Sequence, residues 1–347
     1  MNKKLILKNL AYFIGLLIIL AAVIFGGYLL LKGDNEIKTG EVMPLYLTSM
    51  THLENDWAID TNEIFFDRVA KQMRYGMDLA EQYGAIFTFE SGETFAKANT
   101  NFDDNIMKEA LDRGHGVGTH VDLSAKQKMS DEAAIQIIKE HKDLVDALVG
   151  VENNGSCSGI SAKSDWYAAA KGAGCKLVDG MVGYAYLSMP MENRPEGWTD
   201  AVILNEKFHE PAPIGDIRFY PFWISDSQDF VADADGDLLL SSGETFSLAM
   251  WAEAGGRNND RPECNNDCPL TMDDVTIVVN DIKDFAANRD TSKIAKYNVY
   301  LPAALFEPEN EEVLRAFFSE TQKLEEQGIL EWASQKDVYE AKFEEKN

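Results

Sequence analysis

Arg113-Gly-His-Gly-Val-Gly-Thr-His-Val-Asp-Leu-Ser124 is the stretch whose reading decides the fold, because it puts glycines, two histidines and a carboxylate into one β-prone run directly after a helical segment. In an extended strand Val117, Thr119 and Val121 fall on one side, and Gly118, His120 and Asp122 on the other. His120 and Asp122 then project together from the strand's C-terminal end, as side chains do at the mouth of an α/β barrel. An edge strand with a solvated face, its glycines marking a bulge, is the competing reading. His115 points to the opposite face and reads as structural.

Before this stretch, Val42–Leu53 is apolar and β-prone and runs into Thr51-His52-Leu53-Glu54-Asn55-Asp56-Trp57. Asp60 and Glu63 are spaced as a capping box for a helix with Ile64, Val69, Met73, Met77 and Ala80 on its buried stripe and Gly84 at its end. Ala85–Phe89 reads as a second strand ending at Glu90, and Asp103–Arg113 as a short helix. Three successive strand–helix units imply a parallel barrel or open sheet. After the stretch, Ser130 caps a helix over Asp131–Val149, on which His141 shares the packed stripe. Ser164–Gly174 is a further helix and Lys176–Val182 a strand. Ala201–Leu204, Ile217–Ile224, Leu238–Ser241 and Thr245–Trp251 read as strands with irregular connections. Thr271–Ala286 is helical, Tyr297–Ala303 is the candidate closing strand, and Glu311–Glu326 is a last amphipathic helix.

The N-terminus carries Lys3, Lys4 and Lys8, then no charge from Asn9 to Leu31. That length spans a bilayer, and no small-residue cleavage site follows it, so an uncleaved signal anchor is expected over 9–31, with a cleaved signal peptide as the alternative. The lysines keep residues 1–8 cytoplasmic. Residues 33–41 form a tether, and 42–347 lie on the extracytoplasmic side as one domain. Residues 33–347 hold 28 basic and 58 acidic side chains, a formal charge of −30. Such a surface repels nucleic acid and anionic polymers, and a neutral or cationic glycan, a salty habitat or plain solubility fits it equally. Oligomeric state is not legible.

The four cysteines suit an oxidising compartment, and proximity pairs Cys157 with Cys175 and Cys264 with Cys268. A zinc knuckle at 264–268 lacks the further Cys or His it would need. In Asp233-Ala-Asp-Gly-Asp-Leu-Leu-Leu-Ser-Ser-Gly-Glu244, carboxylates fall at positions 1, 3, 5 and 12 of a calcium-type loop, but the glycine comes at position 4. A β-turn at Ala234–Gly236 on a hairpin is the favoured reading.

His52 and Glu54 at the end of the first strand, with His120 and Asp122 at the end of the third, offer imidazoles and carboxylates for a metal site open to water, zinc being the expected ion. Packed histidines hydrogen-bonded without an ion are the alternative. The order of elements and the run Arg-Gly-His-Gly-Val-Gly-Thr-His120 resemble the polysaccharide deacetylase superfamily, whose second motif ends in a metal-binding histidine; His120 takes that position. The resemblance extends loosely over residues 42–305. It implies a distorted (β/α) barrel, a divalent metal, an extracytoplasmic carbohydrate substrate and hydrolysis of acetyl groups. The chain departs from the pattern in several places. His52 and Glu54 stand where paired aspartates are usual, Ser124 replaces a second histidine, no arginine stands near Gly155–Gly159, and the last strand lacks a histidine. The expected roles are therefore metal binding by His52, Glu54 and His120, proton transfer by Asp122 or Glu90, and general acid chemistry by His209 from a loop. Trp57 and Trp223 are candidates for stacking on sugar rings. A glycan-binding protein without catalysis, or a glycosidase using Glu90 and Asp122, are the rivals.

Overall fold

The computed structural model describes residues 42–53, 58–123, 128–243 and 270–346. β1 (Leu45–Leu53) pairs in parallel with β2 (Thr88–Ser91) on one side and with β8 (Ala295–Tyr300) on the other. From β2 the sheet continues through β3 (Gly116–His120), β4 (Ser156–Ser158), β5 (Leu177–Asp179) and β7 (Leu238–Ser241) to β6 (Phe222–Ile224), the one antiparallel strand of this path. The short β9 (Glu331–Trp332) pairs with the lower half of β1. The Lys296 ammonium on β8 donates to the Ser241 carbonyl on β7, so the two ends of the sheet meet across its interior. The result is the α/β fold with a mainly parallel sheet that the strand–helix order implies.

Helices fill the crossovers: α1 (Glu63–Ala80), α2 (Glu93–Asn101), α3 (Ile106–Asp112), α4 (Asp131–Val149), α5 (Trp166–Ala173), α6 (Met272–Asn288) and α7 (Glu311–Glu326). They cover the outer face, where Leu45, Leu47, Phe87, Phe89, Val117 and Val299 pack against Phe66, Met73, Phe317 and Phe318. A second apolar cluster joins Cys157, Val178, Leu238 and Leu240 to Ile138 and Trp166. The Cys157–Cys175 disulfide forms as expected, with a 5.9 Å Cα separation.

Parallel register places His52, Glu90, Gly118 and Ser156 side by side on the inner face, with Ser158 beside His120 and Ser241 beside Asp179 two residues further along. This interior is unusually polar. Its lower end is closed by α8 (Gln335–Lys346): the buried Gln335 donates its backbone N–H to Thr88 Oγ1 at 3.1 Å and accepts from Ser241 Oγ at 3.0 Å and Lys296 Nζ at 3.2 Å.

Most expected elements form within a few residues of their predicted limits, and five readings need correction. Asn62, rather than Asp60, caps α1, its side chain accepting from Phe65 N, and Ile64 turns outward at 78% exposure. Ala201–Leu204 is helical, because Thr199 caps a short turn there by accepting from Val202 N. Ile217–Ile224 is strand only from Phe222 on, its first part being a 3-10 turn. The closing strand ends at Tyr300, where Pro302 opens another such turn. Helix α2 and the terminal β9–α8 unit are additions. The carboxylates of the calcium-type loop have separate partners: Asp233 accepts from Trp223 N, Asp235 faces Lys346, and Asp237 holds Tyr167 and Lys171. They lie in the connection between β6 and β7. The segments read as anchor and tether, the strand at 245–251, and Glu54, Trp57, Glu244, Cys264 and Cys268 lie outside the described residues. No helix among the described residues is long and apolar enough to cross a membrane.

Candidate metal centre

Three strands deliver one residue each to the upper end of the interior. His52 and Glu90 are partners across β1 and β2, and Glu90 is opposite Gly118 on β3. A Cβ on Gly118 would stand 3.2 Å from the Glu90 side chain and 3.1 Å from Ser156 Cβ, so the absence of a side chain there gives the carboxylate room to cross β3. Two residues on, His120 reaches back toward the pair. Gly159, at φ +67°, lets the chain pass over it, since a Cβ would lie 2.7 Å from His120 Cε1 and 2.2 Å from the Val121 carbonyl oxygen.

The His52 and His120 rings lie 4.0 Å apart with planes 32° from parallel, and His52 Nε2 is 3.2 Å from Glu90 Oε2. One ligand atom from each of His52, Glu90 and His120 lies within 4.8 Å of the other two. Ser158 Oγ is 2.8 Å from His120 Nδ1, which leaves Nε2 for the cluster and for Asp122, whose Oδ1 is 3.6 Å away. Glu90 is fully buried, and among the described residues its Oε2 accepts no well-directed hydrogen bond. Burying a carboxylate oxygen that way is costly unless a cation satisfies it. Two imidazoles and one carboxylate are also the donors a zinc-type ion takes in a site that keeps a position open. The residues fit a divalent cation.

Beneath the cluster lies a second layer of buried charge. Ser156 Oγ bridges Glu90 Oε1 at 3.0 Å and Asp179 Oδ1 at 3.3 Å. A hydroxyl has one hydrogen to give, so two ionised carboxylates cannot both be served. Burial, and then the charge of Glu90, push the Asp179 carboxyl well above its usual range. Lys296, also fully buried, is pulled down to about 8 by desolvation, with Asp179 and Glu90 opposing that shift.

The other predicted site residues are scattered. Asp122 stands beside His120 with its side chain 82% exposed, and hydrogen bonding to that ring holds its carboxyl below the usual range. Exposed His209 is near enough for its charge to act on Asp122. Glu90, expected as a base, is buried beside His52 and His120. Trp223 does not stand at the mouth: it is 7% exposed, packed with Leu177 and Leu239, with the Tyr339 ring at 6.0 Å and the Lys346 ammonium at 4.7 Å. His115 is structural, as read. Its Nδ1 accepts from Phe87 N at 3.1 Å, and burial lowers it to about 4. Half-exposed His141 meets Glu93 of α2 at 3.4 Å.

No protein-family profile matches the sequence, and no curated protein matches it. Solved structures do. A candidate polysaccharide deacetylase from Mycobacterium smegmatis aligns over 88% of this chain and 92% of its own, at TM-score 0.54 and 11% identity. The fold is of the polysaccharide deacetylase type. A candidate glycoside hydrolase/deacetylase from Parabacteroides distasonis shares this deacetylase-type fold over 88% of the chain and 72% of its own, again at TM-score 0.54 and 11% identity. A GH57 branching enzyme from Thermococcus kodakaraensis aligns over 85% of this chain and 70% of its own, at TM-score 0.51 and 9% identity.

The reading of the sequence passed over Asp179, Ser156, Ser158, Lys296 and Tyr300, whose ring lies 5.2 Å from His52. A signal for them existed. Ser156 and Ser158 flank Cys157, while Lys296, Asn298 and Tyr300 alternate with Ala295, Tyr297 and Val299, the period of a strand with one polar face.

Proposed function

We propose that this chain is an extracytoplasmic, membrane-anchored carbohydrate deacetylase, a hydrolase that removes acetyl groups from a glycan with the help of a divalent metal, zinc in our reading. The observation that carries the proposal is the convergence of His52, Glu90 and His120 at the C-terminal ends of three parallel strands. Support also comes from the neighbours of deacetylase type, and from the acidic surface, which disfavours anionic substrates. The anchor rests on the uncharged run at 9–31.

A cation bound by the two imidazoles and Glu90 would supply a Lewis acid for an acyl carbonyl and for water. The protein's own groups do the rest. Ser158 sets the His120 ring so that Nε2 faces the cluster. Ser156 holds one oxygen of Glu90 and leaves the other toward His52. Asp122, beside His120 on the solvent side, is our candidate to take a proton from water. His209, exposed on the turn after residue 207, is our candidate donor to the leaving group.

The glycosidase reading would need Glu90 and Asp122 to face one sugar ring, and the full burial of Glu90 between His52 and Ser156 weighs against it. Incubating the protein with acetylated xylan and with N-acetylglucosamine oligomers, and measuring acetate and reducing ends separately, tests the proposal. The expected outcome is acetate release that falls at least about a hundredfold in His120→Ala. Reducing ends without acetate would replace the proposal with a glycosidase, and binding without either product would leave a glycan-binding protein.

A further inference from the structure

Two segments rise beside the mouth and pair with each other. The first, residues 182–184, follows β5. The second, residues 207–211, closes on it through a Val182–Pro211 bridge and hydrogen bonds from Gly183 N to the Glu210 carbonyl and from Tyr184 N to the Phe208 carbonyl. The pairing is close enough that a Cβ on Gly183 would collide with the Lys207 carbonyl oxygen at 1.8 Å. Together they gather three rings. Tyr184 lies 5.9 Å from Phe208 and 6.3 Å from His209, and Phe208 is 4.6 Å from His209. Tyr184 and Phe208 are half-exposed and His209 is exposed, so the group forms part of the surface.

We infer that Tyr184 and Phe208, with His209 at their edge, form a sugar-stacking subsite for a neutral glycan chain whose neighbouring residue enters the His52–Glu90–His120 centre. The inference rests on the glycan reading above and adds the ligand class. The Tyr184 and Phe208 ring centres are 5.9 Å apart with planes 32° from parallel, and half-exposed aromatic faces of this kind can cover the apolar face of a ligand. An equatorially substituted pyranose offers such a surface an apolar C–H face. The rim selects by charge: Glu206 and Glu210, which bracket Phe208 and His209 in the chain, are exposed, and Lys207 is paired with Glu210 at 3.2 Å. A uronate or phosphorylated chain would meet carboxylates there. Residues 182–184 leave the C-terminal end of β5, the same end of the parallel strands at which His52, Glu90 and His120 stand.

The test is calorimetric titration of the full chain with N-acetylglucosamine tetramer, with xylotetraose and with a galacturonate tetramer, in parallel with an acetate assay. We expect a neutral tetramer to bind and the galacturonate not to. We expect the Tyr184→Ala/Phe208→Ala double variant to lose roughly tenfold or more in affinity, and Phe208→Tyr, which keeps the ring, to stay close to the parent. Equal affinity in the double variant, or a parent that binds neither neutral tetramer, would overturn the subsite. Binding that depends on the rings without acetate release would sink the deacetylase reading alone. Acetate release with unchanged affinity in the double variant would sink the subsite alone.

Discussion

Along β8, Tyr297 turns outward onto Phe219 and Phe285, while Lys296 reaches Ser241 across the interior and its inward neighbour Asn298 accepts from Thr48 on the adjacent β1. Along β3, Val117 joins the outer core while His120 enters the metal cluster. The outer face is built from ring-on-ring and aliphatic packing that gains stability by removing apolar area from water. The inner face holds histidines, carboxyls and an ammonium in a space water barely enters, which costs stability at each group unless a partner is supplied. The difference teaches that fold and chemistry occupy opposite sides of the same strands, so substitutions on the two faces should have separable consequences.

The largest effect is expected outside. Phe318, fully buried against Phe87 and Trp332, should lose about 3–5 kcal/mol of stability on replacement by Ala in denaturant unfolding, with metal affinity unchanged. A Phe318→Ala protein that folds normally but no longer binds metal would break the separation of the faces.

Next comes His115, the buried histidine immediately before the strand that carries His120. Its folded value of about 4 is below the ordinary 6.5, so between these limits the unfolded chain binds the proton and the native chain does not. The stability it contributes is therefore complete above pH 6.5 and lost as pH falls toward 4, by roughly 3 kcal/mol over that window. In His115→Asn, which keeps an acceptor for Phe87 N, urea unfolding should depend less on pH across this range. An unaltered pH slope would show that the imidazole is not held neutral.

The smallest expected effect lies inside. Ser158→Ala removes the oxygen that orients His120, and zinc affinity should fall between about tenfold and a hundredfold while the unfolding midpoint hardly moves. Ser158→Thr, which keeps the hydroxyl, should recover most of the affinity. If both variants bind zinc like the parent, His120 is oriented by packing alone.

How far the fold could be read from the sequence follows from the same division. The outer face announced itself: Val69, Met73 and Met77 keep helical period, Ser130 and Asn310 precede helices that begin where expected, and Leu238–Ser241 has the predicted limits. His120 was legible because glycines and parity set it on a polar face. Glu90 was recognised as reactive but given another task, because only the register with His52 makes the two neighbours. The pairing of Asp179 with Lys296 is not legible because an inward polar side chain has no visible partner until strands 117 residues apart in the chain are brought together. Helix α8, rich in charge and weakly amphipathic, gave no periodic signal, although Gln335 closes the interior.

Titrating the metal-free protein with zinc by calorimetry, for the parent and for Glu90→Gln, tests the central claim most directly. The account predicts one zinc per chain in the parent. In the variant, which keeps the size of the side chain but removes the buried charge, it predicts an affinity at least about a hundredfold lower with unchanged circular dichroism. Equal zinc affinity in the two proteins would contradict it, because no cation could then be sitting among His52, Glu90 and His120.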